Sequence, residues 1–168
     1  MKKIVCLLMV LFLLTGCQNG KSTVEDKHRE LVASYLENLK AGNTKKAMEN
    51  VMFSKGEIEN GVPEVFCSAM EEFDYKSYHI KNITKLNDSI YLANVIVNTN
   101  FDSQDKTKYV DVEFNPYIVA DKDEYRLVFV KEYVPKDLYG DLTTLPNNYN
   151  DGLEYLVAKE DSTGDTTR

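Results

Sequence analysis

Along residues 24–73, apolar side chains recur every three or four positions, which is the period of an amphipathic α-helix. The first stripe comprises Val24, His28, Leu31, Tyr35 and Leu39, widened by Val32 and Leu36. It predicts a helix that starts at Ser22 or Thr23, where Ser22 and Glu25 match a capping box. We expect Gly42 to end this helix, because glycine readily adopts the left-handed conformation that follows a helix C-terminus.

Two shorter helices are predicted after the first. The second covers about residues 44–52, and the third covers residues 63–73. Pro63 suits the first turn of the third helix, because proline has no N–H group to leave unsatisfied there. Between the two helices, Gly56 and Gly61 bracket an expected exposed loop.

After Asp74 the period changes from about 3.6 to 2, and β-branched and aromatic residues become frequent, as is typical of strands. The predicted strands cover residues 78–86, 89–100, 110–114 and 125–134. We expect turns at Asn87-Asp88 and at residues 121–124. Pro116 should end regular pairing or mark a bulge, because proline cannot donate to the ladder. Consecutive strands with short connections predict an antiparallel meander.

The second predicted strand has two unlike faces. One row is entirely apolar and consists of Tyr91, Ala93, Val95 and Val97. The opposite row mixes apolar and amide side chains, namely Ile90, Leu92, Asn94, Ile96 and Asn98. Because side chains alternate between the two faces of a strand, these rows lie on opposite faces of unlike polarity.

The order of these elements predicts an α+β fold, in which N-terminal helices pack on a curved antiparallel sheet as an α+β roll. The long first helix should lie across the concave face. Residues 23–134 would form this domain. Residues 135–168 would form an irregular, partly disordered C-terminal tail, because glycine, proline and asparagine accumulate there and residues 160–168 are polar.

The N-terminus has the organisation of a lipoprotein signal peptide over residues 1–16. Lys2 and Lys3 give a positive start, and an uninterrupted apolar run of 11 residues follows over 4–14. A helix that spans a bilayer needs roughly 20 such residues, so a permanent transmembrane anchor is not expected. The run closes with a lipobox, Leu14-Thr15-Gly16-Cys17.

The lipobox predicts cleavage between Gly16 and Cys17. The thiol of Cys17 would then carry a diacylglycerol with palmitate-type chains, and two acyl chains anchor a protein stably. Residues 17–22 would be the lipidated tether, and the protein would lie at the extracytoplasmic face of the cell membrane. The alternative is an ordinary secretory signal that happens to end near a cysteine.

The charge balance weighs against nucleic-acid partners. The chain has 27 acidic and 20 basic residues, a formal charge of −7. Loss of residues 1–16, which carry two lysines and no carboxylate, leaves 152 residues with a formal charge of −9. Binding to DNA, RNA or anionic lipid head groups requires a basic surface, so we expect the acyl chains to hold the protein at the membrane.

Cysteine use excludes an intramolecular disulfide in the processed chain. Cys6 lies in the signal and Cys17 is the lipid site, so only Cys67 remains. It lies in an apolar-rich segment, and we expect it to be buried as a small hydrophobic residue. A reactive or metal-binding thiol and intermolecular pairing are the alternatives.

Residues 32–47, with the sequence VASYLENLKAGNTKKA, resemble the opening of small bacterial nuclear transport factor two-like domains. The strands that follow are similar too, and the resemblance covers about residues 24–134. It implies a cystatin-like cone-shaped fold and frequent homodimers. Members commonly insert a β-hairpin between the second and third helices, where this chain has only the glycine-punctuated residues 53–62. The family includes enzymes, binders and interaction modules, so the fold does not decide the function.

Candidate catalytic residues are few. His28 and His79 are the two histidines of the chain, too few and too isolated for a metal cluster. Cone-fold enzymes often use an Asp and a His inside the cavity, and Asp74 with His79 is the pairing that fits. No phosphate loop, nucleophile elbow or zinc motif is present, so neither a cofactor nor a metal is expected. Two acidic groups could bind calcium weakly but are more typical of solvated turns: Asp102, Asp105 and Asp111, and Asp121, Asp123 and Glu124.

Tyrosines are the strongest functional signal in the folded part. The chain has 11 tyrosines and no tryptophan, and many fall in or beside the predicted sheet. Rigid amphipathic rings suit a ligand-lined cavity or a protein interface, although they also fill cores. The candidate contact residues are Tyr91, Tyr109, Tyr125 and Tyr133.

The sequence therefore favours a non-enzymatic lipoprotein that binds an envelope protein or a small ligand. The alternatives are a cone-fold enzyme that uses the Asp74 and His79 pair, and a component of a conjugation or secretion complex.

Overall fold

The computed structural model describes residues 23–100 and 107–148. Four α-helices precede five β-strands: α1 Val24–Lys40, α2 Thr44–Met48, α3 Lys55–Glu59, α4 Val62–Glu71, β1 Asp74–Lys85, β2 Ile90–Asn100, β3 Val110–Phe114, β4 Tyr117–Asp121 and β5 Glu124–Val128. Two short 3₁₀ helices follow, Lys131–Tyr133 and Lys136–Leu138. Among the described residues, no helix combines the length and apolarity that a membrane crossing requires.

The capping box of helix α1 lies one residue later than the predicted box of Ser22 and Glu25. Thr23 is the N-cap, because Asp26 completes the box: the Asp26 N–H donates to the Thr23 hydroxyl oxygen, and the Asp26 carboxylate accepts from the Thr23 N–H at 2.9 Å. At the other end, Gly42 adopts φ +72°, as predicted.

Helix α2 is shorter than predicted and ends at Met48. The chain then runs beside β5, where the Met52 N–H donates to the Leu127 carbonyl at 2.9 Å and the Leu127 N–H donates to the Asn50 carbonyl at 2.8 Å. Residues 50–52 therefore leave the helix because their backbone groups cover the edge of the sheet.

The loop expected between Gly56 and Gly61 contains helix α3, so that prediction is wrong. A second capping box explains the helix: the Glu57 N–H donates to the Ser54 hydroxyl oxygen, and the Glu57 carboxylate accepts from the Ser54 N–H at 2.7 Å. Gly61 then adopts φ +72° and starts helix α4.

The strands form one antiparallel sheet, but not the predicted consecutive meander. Strand β2 pairs with β1 on one side; on its other side it pairs with β3 through residues 95–99 and with β4 through residues 90–92. The interruption lies at Asn115 and Pro116, where the Val95 N–H donates to the Asn115 side-chain oxygen at 3.1 Å. Pro116 thus interrupts regular pairing, as predicted.

Two strand boundaries differ by several residues from the predictions, and one strand was not predicted. Strand β1 starts at Asp74 rather than Tyr78, β4 was not predicted, and the last strand ends at Val128 instead of continuing to residue 134. Beyond Val128 the chain turns into the 3₁₀ helix Lys131–Tyr133, since residues 129–148 fold back onto the sheet instead of extending it.

Side chains pack on both faces of the curved sheet. Helix α1 covers one face, which we call the helix face, and meets the entirely apolar row of β2 there. The buried residues of this cluster include Val32, Tyr35, Leu36, Leu39, Ala93, Val95, Val97, Ile118 and Leu127. The α+β architecture, with helices packed on a curved antiparallel sheet, is therefore confirmed.

The opposite face, the outer face, carries a second apolar cluster. It is formed by Ile90, Tyr117, Val119, Val128, Val134 and Leu145. Residues 135–148, expected to be irregular, form a short 3₁₀ helix and otherwise irregular chain, yet Leu145 is 1% exposed. This segment is held by packing rather than by regular secondary structure.

Candidate functional site

An open cleft lies between helices α1 and α4 and strands β1, β2 and β3; we call it the apolar cleft. Its volume is about 40 Å³. It is lined by Leu36, Leu39, Phe66, Met70, Phe73, Tyr75, Val97, Thr99, Val112, Glu113 and Phe114. The cleft therefore occupies the helix face at one end of β2.

The chemistry of the cleft is almost entirely apolar. The Thr99 hydroxyl is engaged, since it donates to the Asp74 carbonyl at 2.7 Å. The Tyr75 hydroxyl donates to the Met70 carbonyl at 3.4 Å, and burial raises its pKa well above the ordinary range, so it remains neutral. A volume of this size holds about three water-sized groups. The cleft can thus receive a short branched or linear apolar group without rearrangement.

Stacked aromatic rings support the cleft from beneath. The Tyr35 ring lies parallel to that of Phe114 at 5.7 Å, and Phe129 contacts Tyr35, Phe66 and Phe114 at 5.2 to 5.4 Å between ring centroids. The Tyr35 hydroxyl is buried and has no hydrogen-bond partner in the described part of the chain. Burial raises the pKa of Tyr35. Met70 is the one flexible, unbranched apolar side chain of the wall, so the wall can adapt to different apolar occupants.

The four tyrosines predicted as a contact surface do not lie together. Tyr91 and Tyr125 meet at 6.1 Å on the helix face, at the end of β2 opposite to the cleft. Tyr109 lies beside Asp74, and Tyr133 is exposed in a 3₁₀ helix. None of the four lines the cleft. Side chains alternate between the two faces of β2 and β5, and this alternation points Tyr91 and Tyr125 toward helix α1.

Asp74 and His79 are both exposed on β1, and neither lines the cleft. The Asp74 carboxylate instead accepts a hydrogen bond from the Tyr109 hydroxyl at 2.7 Å. Strand β1 begins earlier than predicted, and a bulge between Tyr75 and Ser77 shifts the register between the two positions. The predicted pairing inside a cavity is therefore wrong.

Cys67 is half-buried on α4, not buried as expected. Its Sγ lies 3.8 Å from the Glu71 carboxylate one turn later in the helix. Burial and the negative charge of Glu71 raise the pKa of the thiol. The apolar segment predicted the helix correctly, but Cys67 is only partly covered, whereas Met70, one turn later on the same helix, is buried.

Within residues 23–100 and 107–148, no group of three or more acidic, histidine or cysteine side chains is placed to hold a metal ion. Asp111 accepts from the Asn98 amide at 2.6 Å, and Asp121 lies 3.7 Å from the Arg126 guanidinium. Asp102 and Asp105 are outside the described residues, as are the predicted cleavage and lipidation sites at Gly16 and Cys17.

Sequence reasoning missed the cleft because its walls come from helix and strand positions up to 78 residues apart, from Leu36 to Phe114. Each lining residue follows the apolar pattern of its own element, so each is indistinguishable from an ordinary core residue in the sequence. One signal was available: Phe66, Met70 and Phe73 form a broad aromatic and methionine face on one short helix and its C-terminal end.

No family model and no curated protein matches this chain. Among solved structures, 34 chains match. A SEC-C motif protein from Psychrobacter arcticus matches at 8% identity over 74% of this chain, with a TM-score of 0.48. This chain spans 64% of that protein's length.

Two further solved structures match a similar share of this chain. An NTF2-like protein of unknown function from Shewanella oneidensis is 12% identical over 61% of this chain and 92% of its own, with a TM-score of 0.40. A candidate polyketide cyclase from a Silicibacter species is 12% identical over 73% of this chain and 100% of its own, with a TM-score of 0.41. At these identities the likeness concerns the fold alone, and no activity or ligand follows from it.

Proposed function

We propose that this protein is a lipid-anchored extracytoplasmic binding module, whose apolar cleft receives a short apolar group of an envelope protein or a small ligand. The observation that carries the proposal is the cleft itself. Its wall is almost entirely apolar, and its two hydroxyl groups, Thr99 and Tyr75, already have partners. Its one ionisable acid, Glu113, accepts a hydrogen bond from the Asn115 amide at 3.5 Å. Such a site favours burial of an apolar group over acid–base chemistry.

The membrane anchor is proposed from the lipobox at residues 14–17. Cys17→Ser should abolish lipid attachment and leave unprocessed precursor, because acyl transfer needs the thiol and cleavage depends on that transfer. Partitioning into a detergent phase, together with the mass of the product, measures both effects. Cys6→Ser is the matched control, since it removes the other cysteine of the signal, and it should be processed normally. A mature, detergent-partitioning Cys17→Ser protein would contradict the anchor.

The role of the cleft is tested by a matched pair of substitutions on β3. Val112 lines the cleft, whereas Val110 is exposed on the same strand and does not. Val112→Phe should fill the cleft and abolish specific crosslinks in intact membranes, while Val110→Phe should retain them. Crosslinking followed by mass spectrometry makes the comparison, and circular dichroism checks that both variants fold.

The same experiment separates the binding proposal from the enzymatic alternative. Asp74→Asn and His79→Ala should keep the crosslinks and the cellular phenotype, because neither residue lines the cleft. Unchanged crosslinks in folded Val112→Phe would exclude the cleft as the binding surface. Loss of the phenotype in folded His79→Ala would instead favour an enzyme, since proton transfer typically contributes 10² to 10⁴-fold to a rate.

A further inference from the structure

His28 is a fully buried side chain that does not line the apolar cleft. It is 0% exposed, and neither of its ring nitrogens has a hydrogen-bond partner among the described residues. Its ring packs against two tyrosine rings, with its centroid 4.1 Å from that of Tyr91 and 4.4 Å from that of Tyr125. A neutral imidazole fits this environment, whereas an imidazolium would hold two N–H donors there without an acceptor.

The groups that face His28 do not compensate a positive charge. On α1, the Glu25 carboxylate attracts an imidazolium, but it is paired with Arg29 at 3.2 Å. From β2 and β5 the neighbours are Tyr91 and Tyr125, whose hydroxyl groups share a hydrogen bond. Both tyrosines also lie near the exposed pair of Lys85, at the end of β1, and Asp88, in the following turn, whose atoms approach to 2.6 Å. The tyrosine ring faces attract a cation, but they replace only part of its lost hydration, and burial lowers the pKa of His28.

His28 lies where helix α1 first becomes buried. It is the first buried residue of the described part, because residues 23–27 are exposed. Beyond it, the N-terminal half of α1 is tied to the sheet by Val32, which is fully buried, and by Arg29, which donates to the Ile80 carbonyl at 3.3 Å. The first turns of α1 are thus held against the sheet by three side chains, His28, Arg29 and Val32.

We propose that His28 is an acid-sensitive latch, which holds the N-terminal half of α1 against Tyr91 and Tyr125 and releases it when the imidazole is protonated. The C-terminal half of the same helix supplies Leu36 and Leu39 to the apolar cleft. Because both halves belong to one helix, release of the first turns loosens this wall of the cleft. The latch does not depend on the occupant of the cleft.

The direction of the pH effect follows from linkage. The stabilising contribution of a neutral, buried His28 is complete above the ordinary histidine pKa of about 6.5 and decreases as the pH falls from there toward the lowered pKa of the folded state. Within that window, each fall of one pH unit raises the population of the open state by up to about tenfold. Opening should therefore begin below about pH 6.5.

Hydrogen exchange of the full chain in mild detergent tests the latch between pH 7.5 and 5. The protection factors of amides in residues 28–36, corrected for intrinsic exchange, should fall by up to about tenfold per pH unit below about pH 6.5. Those of Val95 and Ile118 in the sheet should not change. His28→Phe and His28→Leu keep an apolar group without a titratable nitrogen, and both should remove the pH dependence. His79→Gln, which removes the exposed histidine, should retain it.

Three results would overturn the proposal. Parallel loss of protection in α1 and in the sheet would mean global destabilisation instead of a latch. An unchanged pH dependence in folded His28→Leu would assign the effect to another group. If neither His28 variant folds, NMR of the wild-type protein decides instead. The imidazole signal that remains in His79→Gln belongs to His28, and a titration midpoint of that signal at or above about pH 6.5 contradicts the latch.

Discussion

At the scale of single residues, side-chain environments in α4 set the chemistry of the free thiol. Cys67 and Glu71 lie one helical turn apart, so the carboxylate charge acts directly on Sγ across 3.8 Å. The thiolate is the nucleophile in alkylation, and a raised pKa lowers its fraction at neutral pH. Half-burial alone therefore does not determine how fast Cys67 reacts.

Glu71→Gln should accelerate the reaction of Cys67 with maleimide at pH 7.5, because it removes the negative charge that raises the thiol pKa. Peptide mass spectrometry over a time course measures the rate at this cysteine. Glu64→Gln is the matched control: Glu64 is the weakest of the groups that shift this pKa, so its loss should change the rate less. Equal rates in wild type and Glu71→Gln would show that access alone limits the reaction.

At the scale of elements, α1 connects both ends of the helix face. His28 packs on Tyr91 and Tyr125 at one end, while Leu36 and Leu39 line the cleft at the other. The exposed side of the helix carries charges such as Glu30. The two faces of α1 should therefore differ sharply in their tolerance to substitution.

Leu39→Asp should lower the free energy of unfolding by several kcal/mol, because it places an unpaired carboxylate at a position that is 5% exposed. Leu31→Asp should have a smaller effect, since Leu31 is half-buried. Glu30→Ala on the exposed face is the control and should change stability by about half a kcal/mol or less. Urea denaturation followed by circular dichroism gives all three values. Comparable losses would contradict the assignment of the buried face.

At the scale of the whole molecule, the sheet is stabilised from both faces. Residues 131–148 cover the outer face, where Tyr117 donates a hydrogen bond to the Pro146 carbonyl and burial raises its pKa to about 12. The amide of Asn87 donates to the Leu138 and Tyr139 carbonyls, both at 2.9 Å. This irregular segment is thus part of the same packed structure as the helices and the sheet.

Leu145→Ala should therefore destabilise the protein by about 2–5 kcal/mol, the range found when a buried leucine is truncated in a core. The residue is 1% exposed, although it lies in irregular chain. Leu142→Ala, at a half-buried position of the same segment, should cost less. The urea midpoint measures both, and a single transition is expected. A loss below half a kcal/mol for Leu145→Ala would show that the segment is only loosely attached.

The sequence by itself determined the features whose signals are local. The apolar stripe placed α1, and Gly42 marked its end. The alternation along β2 distinguished its apolar row from its mixed row, and Pro116 marked the interruption of pairing. These predictions succeed because helix period, strand alternation and the chemistry of glycine and proline act within a few residues.

Tertiary structure alone decided the rest. Residues 50–52 follow the edge of β5, and β4 pairs with β2 beside β3, because backbone groups distant in sequence satisfy each other there. The cleft and the ring contacts of His28 likewise unite residues separated by tens of positions. In the sequence around it, each of these side chains has the pattern of an ordinary core residue. Only the packing of the elements shows which side chains line the cleft and which are buried without a polar partner.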